Sequence, residues 1–507
     1  MQIRSFIKKL VFFTLSIMIV HHSFSQKIGV FDNQTDVGKI LHAGSGTYNA
    51  STGGYELTGS GTNIWFTHDD FHFIWKKIKG DFIIQARGKL LGKGVEAHRK
   101  FGLMARTGLD SISGMVAATV HGSGLTSLQY RKVPDSNVEE KQLSISGPDM
   151  IQLERKGNQY IMSVAHFGDT YVTEEIANVD LGYDVYVGLF VCAHNKDVVE
   201  KAAFDDVRIT IPAKETLVPY KEYLGSHIET MDVFTGERKI VYSESVSLQA
   251  PNWTKDGKSL IYNSNGMLYR LNLQNPKAEL INTGKAKDIN NDHVISFDGK
   301  MLGLSAASPD RKIGSVVYTV PITGGEPKQI TPSGLSYLHG WSPDGKWLTF
   351  TGKRNNDPTP AGFDIYKIPS NGGKEIQLTT APGLDDGSEY SPDGKYIYFN
   401  SVRSGLMQLW RMKPNGSGQE QITNDDYNNW FAHISPDGKW IVCITFPKSV
   451  KPDDHPFYKH VYLRMMPAAG GPLKVIAYLY GGQGTINTPS WSPDSKRIAF
   501  VSNSYIE

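Results

Sequence analysis

A turn motif recurs six times in the second half of the chain and constrains the fold more than any other feature. It is an aromatic or aliphatic residue followed by Ser-Pro-Asp-Gly-Lys or a close variant. The six copies begin at Trp253, Ile295, Trp341, Tyr390, Ile434 and Trp491. Successive motif aspartates are 42, 46, 49, 44 and 57 residues apart. A period of roughly 40–50 residues is typical of a four-stranded propeller blade.

Each copy has the residues of a tight turn between two strands. Proline fixes φ, aspartate caps the turn, and glycine takes the left-handed conformation that closes a hairpin. An alternating apolar segment follows, such as Trp347–Phe350 or Tyr396–Phe399. Such alternation indicates a strand with one face buried. A third strand, a Gly-rich turn and a fourth strand complete each repeat.

The sixth repeat is incomplete at the C-terminus, because the chain reaches Glu507 after only two strands. A strand–turn–strand segment, Ser226–Tyr242, lies just before the first repeat. We expect this segment to complete the last blade, which would close the ring and remove its open edges. The pattern therefore predicts six blades.

The first half of the chain shows β alternation over 27–212, with no convincing amphipathic helix. Examples are Phe82–Arg87, Phe101–Arg106 and Val185–Phe190. We therefore predict an all-β protein, with a β-sandwich over 26–212, a linker over 213–225 and a propeller over 226–507.

Residues 1–25 have the pattern of a secretory signal. Arg4, Lys8 and Lys9 precede the apolar run Leu10–Val20, and Ser23-Phe24-Ser25 resembles a cleavage site. The run of 11 residues is shorter than the roughly 20 that cross a bilayer. Without a cysteine near the site, a lipoprotein anchor is not expected. We predict a periplasmic or secreted protein with no transmembrane anchor in the mature chain.

Charge and cysteine content narrow the function classes. The chain has 53 basic and 51 acidic residues, and three of the basic ones lie in the signal segment. The mature chain is therefore nearly neutral, and nucleic acid is not an expected partner. The two cysteines, Cys192 and Cys443, lie in apolar strand-like segments of different halves. Buried thiols are expected rather than a disulfide.

The repeats resemble those of the TolB-type six-bladed propellers, over about residues 220–507. That resemblance implies an envelope protein that binds another protein, although the N-terminal half does not resemble the α/β domain of TolB. The first half instead resembles concanavalin-like jelly-roll sandwiches, through Gly80-Asp81-Phe82, Gly102–Arg106 and Phe204–Val207. Such sandwiches accompany bacterial carbohydrate-active proteins.

Ligand sites of such propellers lie on the face where the innermost strands begin and where loops follow the second strands. Five histidines map to this predicted face: His293, His339, His433, His455 and His460. Three interpretations of this face compete. In the first, imidazoles and carboxylates around one axis bind a divalent metal ion (Mn, Zn or Ca), with His293, His339 and His433 as candidate ligands. Propeller lyases of uronic-acid polysaccharides are similar in this respect, although no compact ligand motif is present here.

Two further interpretations need no metal. In metal-free sugar chemistry, Glu389 or Asp386 would act as general acid or base with His433, and Arg354 and Arg403 would bind acidic groups. In binding without catalysis, a sugar or protein segment would contact Asn429, Trp430, Gln483 and Asn487. Strand parity also allows His293 and His339 simply to pack between blades.

The first half offers its own polar and aromatic candidates, to which we assign no site from sequence. They are Trp65, His68, Asp69, Asp70, His72, Trp75 and the run His98-Arg99-Lys100.

The sequence thus predicts an extracytoplasmic protein whose propeller face binds a polymer, with a saccharide as the first expectation. One alternative is a polysaccharide lyase or glycoside hydrolase acting at the same face. The other is a TolB-like protein-interaction scaffold at the cell envelope.

Overall fold

The computed structural model describes residues 27–308, 314–332, 334–354 and 362–506. The predicted signal segment, residues 1–25, lies outside them. Every element that they form is a β-strand, in agreement with the predicted all-β class. None of the described segments forms a helix with the length and apolarity that a bilayer crossing requires.

Sixteen strands precede the linker. They are β1 (Asn33–Val37), β2 (Ser45–Asn49), β3 (Gly54–Gly59), β4 (Ile64–Trp65), β5 (His68–Asp69), β6 (Phe71–Lys79), β7 (Phe82–Leu91), β8 (Lys100–Arg106), β9 (Met115–His121), β10 (Thr126–Arg131), β11 (Glu139–Gln142), β12 (Met150–Lys156), β13 (Gln159–Ala165), β14 (Val172–Ile176), β15 (Asp184–Cys192) and β16 (Glu200–Thr210).

Fourteen of these strands form two seven-stranded antiparallel sheets, and β4 and β5 form a separate two-stranded sheet. The strand order is β1-β6-β15-β8-β9-β10-β11 in the first sheet and β14-β13-β12-β7-β16-β3-β2 in the second. Both sheets contribute to one apolar core, in which Leu103 and Leu189 of the first sheet join Ile84 and Leu153 of the second. We call this part the two-sheet unit. Its resemblance to concanavalin-like jelly rolls stays a prediction.

The remaining strands belong to the propeller. They are β17 (Gly225–Asp232), β18 (Arg238–Glu244), β19 (Gln249–Trp253), β20 (Ser259–Ser264), β21 (Met267–Asn272), β22 (Ala278–Leu280), β23 (Ile289–Ile295), β24 (Met301–Ala307), β25 (Ser315–Pro321), β26 (Lys328–Gln329), β27 (Ser336–Trp341), β28 (Trp347–Gly352), β29 (Asp364–Pro369), β30 (Ile376–Gln377), β31 (Asp385–Tyr390), β32 (Ile397–Ser401), β33 (Gln408–Met412), β34 (Glu420–Gln421), β35 (Tyr427–Ile434), β36 (Trp440–Pro447), β37 (Lys459–Pro467), β38 (Lys474–Gly481) and β39 (Arg497–Ser504).

Five blades are consecutive four-stranded sheets, from β19–β22 through β35–β38. The sixth contains β18, β17 and β39, with Trp491 bridged to Ile498 at the position of its innermost strand. Strand β17 pairs with β39 from Gly225↔Ser504 to Asp232↔Arg497. The predicted six-bladed propeller is confirmed, and its N-terminal segment closes the ring as expected.

The repeated turn has the chemistry expected from its sequence. In the third blade the Ser342 hydroxyl donates to Asp344 Oδ1 at 2.7 Å, and the Lys346 N–H donates to the same carboxylate. Gly345 has φ 72°, a region that favours glycine. The last copy has Ser495 instead, with φ 61°. The Ser495 hydroxyl accepts a hydrogen bond from the Asp437 N–H of the fifth blade, which joins two blades.

Two buried thiols were expected, and both cysteines are free and buried, Cys192 in β15 and Cys443 in β36.

The two-sheet unit and the propeller share an interface. Tyr478 Oη donates to the Asp169 carbonyl at 2.6 Å, and the Ile211 N–H donates to Ser504 Oγ at 3.0 Å.

A buried charge cluster joins this interface to the ring closure. Glu229 of β17 is fully buried and accepts from Arg238 at 2.9 Å and Arg208 at 3.2 Å. Arg238 also contacts Asp206 of the two-sheet unit at 3.0 Å. Burial opposes ionisation, but the two arginines lower the pKa of Glu229 to about 2. The cluster links β16, β17 and β18 in one network.

Replacing Glu229 with glutamine is expected to destabilise the protein by about 3 kcal/mol, because two arginines lose a buried charged partner. Urea unfolding followed by tryptophan fluorescence at pH 7 measures the change. The matched control is Glu237→Gln, since Glu237 and Lys239 form an exposed pair worth at most about 1 kcal/mol. Because the folded pKa is lowered, the Glu229 contribution is full above the ordinary value of 4.5 and declines as pH falls toward about 2. Equal destabilisation by both variants would contradict this role.

Candidate functional site

The propeller opens at one end into a cavity of about 610 Å³. This is the end at which the innermost strands begin, opposite the Ser-Pro-Asp-Gly-Lys turns. The lining residues are Tyr220, Asn290, Asn291, Asp292, Tyr337, His339, Thr351, Phe363, Gly383, Leu384, Asp386, Val402, Phe431, Asp453, His455, Gln483 and Asn487. They come from several blades and from the linker, so the cavity depends on the closed ring.

Irregular strand pairing places these side chains. Each of the five innermost strands β19, β23, β27, β31 and β35 has a register shift against its neighbour. Such bulges re-aim side chains locally. His339 lies at the bulge of β27, between the pairs Leu338↔Phe350 and Gly340↔Thr349. Phe431 lies at the bulge of β35 and has φ 57°, a strained backbone for an aromatic residue.

An ion pair forms one wall of the cavity. His339 Nε2 lies 3.0 Å from Asp386 Oδ1, which also accepts from the Thr351 hydroxyl at 2.6 Å. Burial alone would lower the pKa of His339, but Asp386 and Asp292 raise it to about 9. Burial likewise opposes ionisation of Asp386, yet His339 lowers its pKa to about 2. The pair is therefore charged at neutral pH.

Asp292 is a third titratable group of the cavity. Its Oδ2 accepts from Asn290 Nδ2 at 2.8 Å. Burial raises the pKa of Asp292 to about 6; the charge of His339 opposes this rise and the Asp386 carboxylate adds to it. Asp292 thus changes its charge within a physiologically accessible pH range.

Aromatic and amide groups form the rest of the wall. His455 packs edge-to-face on Trp430 at 4.4 Å and on Phe431 at 5.5 Å, measured between ring centroids. Asn487 accepts from the Gly484 N–H at 2.8 Å and donates to Gln483 Oε1 at 3.0 Å. These contacts fix the side chains before any ligand arrives.

The linker supplies a cavity residue that the sequence patterns did not indicate. Tyr220 is 61% exposed, has φ 66°, and packs edge-to-face on Phe457 at 5.1 Å. No repeat position marks it, because it lies outside the blades. Tyr337, Phe363 and Asp453 also line the cavity without having been singled out.

Four of the predicted site residues line the cavity: His339, Asp386, Gln483 and Asn487. Glu389 and His433, the other predicted acid–base residues, lie outside this lining and contact each other. His433 Nδ1 is 2.7 Å from Glu389 Oε2, and its Nε2 contacts the Ile486 carbonyl at 2.5 Å. Glu389 Oε1 accepts from the Ile434 N–H. Glu389, His433 and Ile486 belong to the fourth, fifth and sixth blades, so these hydrogen bonds join three successive blades.

The remaining predicted ligand-binding residues are engaged within the blades. Trp430 and Asn429 are fully buried, and Asn429 Oδ1 accepts from the Thr445 hydroxyl at 2.8 Å. Arg354 forms a two-point pair with Glu375, at 2.7 Å for both contacts. Arg403 pairs with Asp385 at 2.6 Å. The structure therefore does not bring these four side chains to the cavity wall.

The three histidines predicted as metal ligands have separate partners. His293 Nε2 faces the Ile261 carbonyl at 3.2 Å, His339 pairs with Asp386, and His433 pairs with Glu389. Across residues 27–308, 314–332, 334–354 and 362–506, no group of three or more His, Cys, Asp or Glu side chains is arranged to hold a metal ion. His460, also predicted on this face, instead contacts Glu154 of the two-sheet unit at 2.9 Å.

Most candidates of the two-sheet unit are held in its packing. Asp69 is fully buried between Arg131 and Arg106, at 2.8 and 3.3 Å. His72 pairs with Asp36 at 2.7 Å. Trp65 and Trp75 pack against an apolar cluster on the outer face of the first sheet.

Comparison with known proteins places the propeller in a family. The family model for the TolB beta propeller domain matches residues 339–451. An uncharacterized protein of Agrobacterium fabrum is 43% identical over 279 residues, covering 55% of this chain and 92% of that protein. The chain therefore belongs to the TolB-type β-propeller family.

A solved structure supports the same assignment. It is that of an Agrobacterium tumefaciens protein provisionally named TolB, which is 42% identical to this chain. The TM-score is 0.53, and the match covers 56% of this chain and 100% of that one. Both relatives thus cover little more than half of this chain.

Removing the carboxylate of Asp386 is expected to lower the pKa of His339 from about 9, because the strongest of the interactions that oppose the effect of burial is then lost. Histidine-selective NMR titration of wild type and Asp386→Asn measures this. His293, whose pKa burial lowers to about 4, is the internal reference and should not move.

The same shift predicts a pH dependence of stability. Because the folded pKa of His339 is raised, the stabilisation is complete below about pH 6.5 and is lost as pH rises through about 9. The difference in urea midpoint between wild type and Asp386→Asn should shrink over that interval. A His339 that titrates near 6.5 in the wild type would contradict the ion pair.

Proposed function

We propose that this protein is a TolB-type interaction scaffold of the cell envelope, whose axial cavity receives a segment of a partner protein. Membership of the TolB-type family supports this function over the saccharide-binding function first expected from the sequence. The observation that carries the proposal is the open cavity at the ring axis, walled by amides, aromatic rings and one ion pair. The predicted signal segment supports an extracytoplasmic location.

The cavity suits a peptide segment in size and chemistry. A volume of about 610 Å³ lies within the usual range for binding pockets, roughly 300–1,000 Å³. Asn290, Gln483 and Asn487 offer amide donors and acceptors of the kind that a peptide backbone needs. Tyr337 and Phe363 offer apolar contact area, and aromatic residues are enriched at protein interfaces.

The wall is also organised in advance. Asp386 is held by Thr351 and by the Gly387 N–H at 2.7 Å, while Asn487 is held by Gly484. A ligand therefore does not need to order these side chains, which reduces the entropic cost of binding. Such a rigid wall favours recognition of one defined segment.

A saccharide remains the second candidate ligand, since aromatic rings beside amide groups also suit sugars. The rings of Tyr220, Tyr337 and Phe363 line the same cavity as Gln483 and Asn487. An acid–base reaction on a sugar in this cavity would use the His339–Asp386 pair. Glu389 and His433 contact each other and do not line the cavity. A divalent ion at His293, His339 and His433 would require these side chains to leave their present partners.

Site-specific crosslinking tests the proposed function. A photoreactive phenylalanine analogue replaces Tyr220 at the cavity mouth or, as control, Lys395 in a turn at the opposite end. We expect a discrete adduct with one envelope protein from position 220 only. Val402→Trp, which fills the cavity from its wall, should abolish the adduct while circular dichroism shows an unchanged fold.

A glycan-binding assay separates the two ligand classes. The proposed function predicts that wild type and Val402→Trp bind glycans equally weakly. Glycan binding that is lost in Val402→Trp, without a protein adduct from position 220, would replace the scaffold by a saccharide-binding protein. Equal adducts from positions 220 and 395 would also contradict the proposal.

A further inference from the structure

A polar cluster lies on the outer face of the first sheet of the two-sheet unit, away from the axial cavity. It consists of Lys100, Asn63, His98, His121 and His194, which we call the Lys100 cluster. Lys100 of β8 stands directly opposite His121 of β9 and opposite Cys192 of β15. His194 follows two residues after Cys192. Three adjacent strands thus bring the cluster together at one end of the sheet.

Lys100 is a buried amine without an adjacent counter-charge. Its side chain is only 2% exposed, and Nζ donates to Asn63 Oδ1 at 2.9 Å. Among the described residues, no carboxylate oxygen lies within 4.0 Å of this ammonium group. Burial lowers the pKa of Lys100. Buried charges in proteins are normally paired, so this position calls for an explanation.

Two acidic side chains, Glu140 and Asp69, attract Lys100 at longer range, and both have other partners. Glu140 of β11 accepts from Gln142 Nε2 at 2.7 Å and from Gln129 Nε2 at 3.3 Å. It contributes long-range attraction to Lys100 but forms no contact ion pair with it. The amine therefore has unused donors.

Two imidazole rings, those of His121 and His194, lie close enough to Lys100 for its charge to act on them, and His98 lies beside both rings. The ring centroid of His98 lies 6.0 Å from that of His121 and 5.4 Å from that of His194. His194 Nδ1 is buried without a hydrogen-bond partner, and His194 has φ 56°. An unsatisfied buried nitrogen is rare in folded proteins and costs stability. His98 is exposed and lies at the surface of the cluster.

We infer that the Lys100 cluster binds the oxyanion group of a small ligand, a carboxylate, sulfate or phosphate. The oxyanion would accept from Lys100 Nζ and from His194 Nδ1, the two groups that lack sufficient partners. His98 would contact it from the solvent side. A bound oxyanion would supply a counter-charge for Lys100 and a hydrogen-bond acceptor for His194 Nδ1. This site is independent of the proposed function of the propeller.

Isothermal titration calorimetry on the full mature chain tests the inference, with sodium phosphate, sodium sulfate and sodium glucuronate as ligands at constant ionic strength. Neutral glucose is the control ligand. We expect one site for at least one of the anions, and the preferred anion identifies its chemical class. Lys100→Met should weaken binding by at least about tenfold. Lys93→Met, which removes an exposed lysine of the preceding loop, should leave it unchanged.

A second variant keeps the test decisive if Lys100→Met does not fold. His98→Gln changes an exposed side chain and should fold, and we expect it to weaken anion binding several-fold. Absence of binding for all three anions would overturn the inference. So would binding that is equally strong in Lys100→Met, or in His98→Gln where Lys100→Met is unfolded, because the anion would then be bound elsewhere.

Discussion

The pairing of β17 with β39 is the constraint on which the rest of the structure depends. It joins residues near the linker to the end of the chain over eight residue pairs, from Gly225↔Ser504 to Asp232↔Arg497. Without it the sixth blade would lack two strands, and β39 would present an open edge. The lining of the axial cavity comes from the second to the sixth blade and from the linker, so the cavity depends on the closed ring. Glu229 lies fully buried in this closing strand, so closure and the interface with the two-sheet unit depend on the same charges.

The architecture could be predicted from the sequence because its signals are local and repeated. The turn residues fix where hairpins occur, and alternation marks the strands that follow. The closure followed from counting strands, since two were missing at one end and two were present at the other. The face of the cavity followed from the same repeat geometry. His339, Asp386, Gln483 and Asn487 were placed on the cavity wall on this basis.

The individual side-chain directions could not be predicted, and the bulges explain why. Side chains alternate along a regular strand, so one inserted residue moves all following ones to the other face. In β31, Asp386 pairs with Asn400 before the bulge and lines the cavity, whereas Glu389 pairs with Tyr398 after it and contacts His433. The partners of the two arginines could not be predicted either. Arg354 pairs with Glu375 and Arg403 with Asp385, and no repeated sequence motif indicates these pairs.

The linker gives this propeller a cavity mouth that its blades alone do not define. Ile211 bonds Ser504 and the Tyr505 N–H, which fixes the linker to the end of the chain. Leu224 is fixed further on, since its N–H donates to Tyr458 Oη at 2.9 Å. Tyr220 lies between these two attachment points and reaches the cavity. The linker thus contributes a lining residue to the cavity beside those of the blades. Under the proposed function, the N-terminal half would influence ligand selection through Tyr220, because Ile211 fixes the start of the linker that carries this residue.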